Sequence, residues 1–234
     1  MTVAVLKEQS EIFANDLSQL FEIVLDSEPK FEILFFKDQD KAIIGPGPFK
    51  NNKPSNILLP RECDGESTPL ELGINFTVEM DNRNEYMQVC TSAFGLWIDV
   101  THGERKAKPI VRVEYDRHPI KRERASAHVH LHANSPELAW AYGSCGQTAP
   151  NLHDLHFPVG GRRFRPSIEE FLLFLHRENI FTNYKACWKQ EVLKSLEVWE
   201  ERQARATARQ FPEEVKKELE RLGYTITNPF SATE

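Results

Sequence analysis

Three histidines occupy alternate positions in the segment Ala127-His128-Val129-His130-Leu131-His132. On a β-strand this spacing puts the imidazoles on one face and Val129 and Leu131 on the other. A histidine pair near its ordinary pKa of about 6.5 can act as general base and general acid, and neutral imidazoles are common metal ligands. The segment Ile110 to Asp116 alternates in the same way, with Val111, Val113 and Tyr115 set against Arg112, Glu114 and Asp116. If the two segments pair and share one core, Arg112, Glu114 and Asp116 stand on the histidine face.

Distance limits what a metal could use. Residues i and i+2 lie about 6.6 Å apart along a strand and i and i+4 about 13 Å, so at most two adjacent histidines of the strand reach one ion. A zinc site would take His128 with His130, or His130 with His132, and complete itself from Asp116, His153, Asp154 or His156. In this alternative His130, His132 and Asp116 form the metal set, with zinc as the cofactor. A metal-free site would use His128, His130 and His156 as acid/base residues together with Arg163. Arg162, Arg163, Arg165 and Arg122 would then hold an anion, and Gly160-Gly161 would let backbone amides approach it. That set suits cleavage of RNA by its own 2′-hydroxyl, or of another phosphodiester. A third possibility is a solvated sheet face, with imidazoles hydrogen-bonding their Asp, Glu and Arg neighbours and Arg117 to Arg124 forming an ordinary basic turn.

The elements that must position these residues are legible in outline. Phe13, Leu17, Leu20, Phe21 and Val24 recur at helical spacing within Val5 to Asp26, and Pro29 follows. Phe31 to Phe36 predicts a first strand and Asn56 to Leu59 a short edge strand, while Gly45-Pro46-Gly47-Pro48 and Pro60 to Pro69 break regular structure. Leu70 to Met80 alternates strictly, as a half-buried antiparallel strand does. Tyr86 to Val100 predicts its partner, with Gly95 as a bulge. Pro136 to Pro150 reads as a helical turn and loop. Ser167 and Glu170 form a capping box that opens a helix over Ile168 to Leu175. Tyr184 to Arg209 is a charged helix, and Pro212 opens a last one closed by Gly223. The order predicts an α+β fold: an N-terminal helix, an antiparallel sheet of about five to seven strands, then C-terminal helices. Residues 1–180 form the α+β domain, and 181–234 a helical extension packed on it.

Bulk properties narrow the classes further. A chain of 234 residues with 40% hydrophobic and 27% charged residues can bury a core, and its net charge of −6 argues against coating nucleic acid through bulk electrostatics. Cys63, Cys90, Cys145 and Cys187 form no CxxC pair, which disfavours a cysteine zinc site or a disulfide framework. There is no signal pattern at the start and no membrane-length apolar run, so a cytoplasmic protein without membrane contact is expected. No Walker loop, G-x-S-x-G elbow or HExxH helix is present.

The stretch from Val111 to Leu175 combines the strand Val113-Glu114-Tyr115-Asp116, the His-x-His strand, and Leu155-His156-Phe157-Pro158-Val159-Gly160-Gly161-Arg162-Arg163-Phe164-Arg165-Pro166 running into a helix. In these motifs it resembles a group of uncharacterised bacterial proteins. The resemblance implies a toxin–antitoxin or defence setting and brings no activity that transfers residue by residue. The sequence therefore leaves three functions in competition. One is a nuclease-like protein of toxin or defence type acting on RNA or another phosphodiester. Another is a metal-binding enzyme or sensor. The third is an interaction module docking a protein partner through the helices of Tyr184 to Leu222.

Overall fold

The structure is a computed structural model that describes residues 2–36, 40–60, 62–63, 66–67, 70–98, 108–119, 125–143, 148, 151–159 and 165–227. Helix α1 (Thr2–Val24) leads into strands β1 (Phe31–Phe36), β2 (Lys41–Pro46) and β3 (Ile57–Leu59). A small ribbon, β4 (Glu62–Cys63) with β5 (Glu66–Ser67), precedes the long strands β6 (Leu70–Met80) and β7 (Met87–Ile98). Strands β8 (Lys108–Asp116) and β9 (Ala127–Leu131) follow, then helix α2 (Pro136–Gly143) and a two-residue strand β10 (Phe157–Pro158). Helices α3 (Ile168–Arg177), α4 (Trp188–Gln210) and α5 (Pro212–Arg221) follow. Among the described residues no helix is long and apolar enough to cross a membrane.

Strands β1, β2, β6, β7, β8, β9 and β10 lie side by side in one antiparallel sheet, and β3 adds an eighth strand against β6. This is the α+β architecture that the order of helical and alternating segments predicts. The alternation of β6 sets the layers: Leu70, Leu72, Ile74, Phe76 and Val78 are buried on one face. Helices cover that face. Phe13 of α1 meets Phe76 edge-on at 5.0 Å, and Phe171 of α3 lies 6.3 Å from Phe94 of β7. Phe181 and, from α4, Trp188 and Val192 join the same core, whereas α5 buries none of its residues.

Helix α3 begins as the sequence predicts. The Ser167 hydroxyl accepts from the Glu170 amide at 3.0 Å, and the Glu170 carboxylate accepts from the Ser167 amide at 3.3 Å. Two otherwise unsatisfied donors are thus met at the helix start.

Gly95 is not a bulge. It pairs in register with Gly73 on one side and Arg112 on the other. The shift between β6 and β7 falls at Thr77/Val78, which leaves Cys90 as the extra residue, and a second shift falls at Leu96/Trp97 between β7 and β8. Gly95 is required for space: a Cβ there would come within 2.3 Å of the Trp97 indole, and one at Gly73 within 2.5 Å. Trp97 therefore lies across two glycines on the face away from the helices.

Candidate functional site

Registers β8–β9 and β9–β10 assemble a cluster from three strands. Arg112 stands opposite His130, Glu114 opposite His128, and Val113 opposite Val129, so the polar side chains share one face as the pleat requires. Phe157 pairs with Val129, which brings the preceding residue, His156, to the same place. The rings of His128, His130 and His156 then lie 4.6–4.9 Å apart, centroid to centroid. Each offers a ring nitrogen, and these nitrogens all lie within 4.8 Å of one another. His128 and His130 are buried, each 6% exposed, and His156 is half-buried.

Backbone carbonyls orient two of the rings. His128 Nδ1 lies 2.9 Å from the carbonyl oxygen of Ala125, and His130 Nδ1 2.9 Å from that of His153. A carbonyl can only accept, so each Nδ1 is the donor and, in the neutral ring, each Nε2 presents a lone pair. Hydrogen bonds of this kind from the remote nitrogen are what ligating histidines ordinarily make.

Both Nε2 atoms face a single oxygen. Glu114 Oε2 is 3.6 Å from His128 Nε2 and 3.6 Å from His130 Nε2. That is too long for a hydrogen bond. It is close to the separation of about 3.3 Å between two ligands of a tetrahedral ion bound at about 2.0–2.1 Å. The other oxygen, Oε1, is held by Arg112 Nη1 at 3.2 Å. When His128 carries a proton on Nε2, its donation toward this oxygen holds the Glu114 carboxyl below the usual range despite burial, with the charges of Arg112 and a protonated His130 adding to the effect. The carboxylate is thus anionic and fixed in orientation where the imidazoles converge.

His132 does not join this cluster. It is exposed at the end of the strand, its ring 4.7 Å from that of His153, which itself contacts Asp154 at 3.3 Å. Asp116 sits at the far end of β8, where its carboxylate accepts from the His118 amide at 2.8 Å. Among the described residues, the set that could hold a metal is His128, His130 and His156, rather than His130, His132 and Asp116. Arg165 lies on the other side of the sheet, its guanidinium 5.7 Å from the Trp199 ring and beside the apolar residues Val113 and Val129. It therefore does not face the histidines, because Pro166 and the capped start of α3 place it over the core face. Arg122, Arg162, Arg163 and the Gly160-Gly161 pair lie outside the described residues.

Glu114 and Arg112 belong to the site, although the sequence assigns neither of them to the metal set or to the acid/base set. Their alternation with Val111 and Val113 already put them on the histidine face, but only the cross-strand register sets Glu114 between the two imidazoles. Comparison with protein-family models, with curated proteins and with solved structures returns no match.

Proposed function

We propose that the chain is a metal-dependent protein of the zinc type, with His128, His130 and His156 as ligands to one ion. The observation that carries this is the pair of Nδ1-to-carbonyl hydrogen bonds, which aim two Nε2 lone pairs at the same space beside Glu114. An ion needs every converging nitrogen to present a lone pair. Metal-free acid/base cleavage needs one of them to carry a proton toward substrate, and neither carbonyl bond selects such a nitrogen. The carboxylate of Glu114 would serve as the fourth ligand, or as a base beside the ion, which would supply Lewis-acid chemistry there. Arg112 neutralises its outer oxygen and fixes its direction.

The reaction we attach to this centre is hydrolysis of RNA or another phosphodiester, in a toxin or defence setting. A bound cation with an activated water is a standard means of attacking phosphorus, and the partly exposed Arg112 side chain would stabilise charge on the phosphoryl oxygens. Two measurements test these statements separately. Elemental analysis of tag-free protein should find one transition metal per chain, lost in His130→Ala and retained in His132→Ala. Metal that is substoichiometric in every preparation, without stabilisation on adding zinc, would remove the metal centre. A loaded protein that cleaves neither RNA nor bis-(p-nitrophenyl) phosphate would leave the ion and remove the reaction.

A further inference from the structure

The strand pair that carries the histidines has a second, opposite face. There Val111, Val113, Val129, Leu131, Phe171 and Phe174 line a groove of about 550 Å³ between β8–β9 and helix α3. Its size is that of a small-molecule site, and apolar walls with few polar groups are the usual lining of one. The groove is not closed over: Leu131 and Phe174 remain 40% and 37% exposed. Glu170 is its acidic neighbour, and that carboxylate is engaged in the helix cap with Ser167.

At one end stands Arg165. Withdrawal from water lowers the pKa of its guanidinium to about 10; Tyr115 and Glu169 favour its charge, while Arg117 and Arg202 oppose it. Arg165 also lines a second cavity of about 360 Å³, where Arg117, Arg202 and Arg209 stand with it. Among the described residues Asp16 lines this cavity too and is paired with Arg202 at 3.2 Å. Glu169 accepts from Ser195 through one oxygen and leaves the other, buried, without a hydrogen-bond partner. At Arg165 the Glu169 carboxylate is set against the charges of Arg117 and Arg202. Trp199, which lines the groove beside Arg165, also has an indole N–H that is buried and without a partner.

The geometry points to a binding site for an apolar carboxylate of the fatty-acid class. The chain lies along the valine and phenylalanine walls, and the carboxylate accepts from the Arg165 guanidinium and the Trp199 N–H. A neutral ligand would leave Arg165 with Glu169 as its opposing carboxylate and the Trp199 N–H without an acceptor. A purely ionic one would leave the apolar groove in water. An apolar anion satisfies both at once. The site shares strands with the histidine cluster but faces the other way, so it stands independently of the metal centre.

Calorimetric titration of the full chain with octanoate, octan-1-ol and octyl phosphate tests it. Octanoate should bind one-to-one and about tenfold or more tighter than the alcohol, the usual worth of a charge-assisted hydrogen bond. Arg165→Gln should reduce that preference to about threefold or less. Leu131→Glu changes an exposed groove residue, so the fold is spared, and a charge set against the apolar chain should weaken octanoate and octan-1-ol alike by about tenfold or more. Should Arg165→Gln fail to fold, the octanoate-over-octanol preference of the native protein together with Leu131→Glu decides. Octanoate and octanol binding equally, neither binding, or octyl phosphate binding best would each overturn the assignment.

Discussion

Replacing His156 by alanine removes one of three converging imidazoles and leaves the β8–β9 pairing that holds the other two. The residue is half-buried and lies just before a strand of two residues, so the metal-free fold should lose little. Its effect should appear when zinc is added. At a free zinc concentration of about 100 times Kd, an ion that binds only the folded chain stabilises it by about 2.7 kcal/mol. For a domain of this size each kcal/mol raises Tm by about 2–4 °C, so the native protein should gain about 5–11 °C. Losing a ligand should weaken binding by at least the roughly hundredfold that a ligand's supporting partner can be worth. Zinc at the same concentration then equals the new Kd, the stabilisation falls to about 0.4 kcal/mol, and the shift to about 1 °C. His132→Ala should keep the full shift, because that ring stands with His153 outside the cluster. Differential scanning fluorimetry with buffered zinc measures all three. Equal shifts in His132→Ala and His156→Ala, or no shift in the native protein, would refute the reasoning.

Three further outcomes rest on the packing and hydrogen bonds described above. Gly95→Ala should cost about 1–3 kcal/mol and change tryptophan emission, since its Cβ would displace the Trp97 indole; urea titration reads the first and fluorescence the second. Ser167→Ala should cost about 1 kcal/mol through loss of the α3 cap, with Ser167→Asp restoring most of it in the same titration. Burial would raise the Asp81 carboxyl, but backbone N–H donors from Tyr86, Glu85 and Arg83 hold it below 3.8. Its folded value is depressed, so its stabilisation is complete above the unfolded pKa and disappears as pH falls through the folded one. Asp81→Asn should be less stable at pH 7, and the difference from the native protein should close in acid-unfolding curves as pH falls through the folded pKa.

Much of the architecture was legible because it rests on local patterns. The alternation of Leu70 to Met80, the helical stripe from Phe13 to Val24 and the Ser167–Glu170 cap are each written into a few neighbouring residues. The structure places all three as expected, α1 starting earlier at Thr2. Strand β2 was hidden because Gly45 and Pro46 carry turn chemistry, yet Lys41 to Ile44 pair with β6 and bury Ala42 and Ile44. Gly95 was misread for a related reason. A glycine in a strand signals either a bulge or a close approach, and the indole two residues on makes it the second. For the site, the pleat alone gave the face shared by His128, His130 and Glu114. Which distant histidine completes it depends on the β9–β10 register, and two residues of strand leave too faint a pattern to read.

The two-residue strand β10 has a consequence of its own. Among the described residues, Phe157 and Pro158 alone tie His156 to β9 by strand pairing, with the Val159 amide reaching Ala127 at 3.1 Å. An ion shared by His130 and His156 would act as a clasp, closing the chain between them into a loop that includes α2. Fastened, that loop would forfeit the entropy it otherwise keeps; unfastened, it would be held by a few hydrogen bonds at the sheet edge. Loading and removal of the ion would then set how readily this edge opens, and protease cleavage within residues 133–155 should slow when zinc is bound.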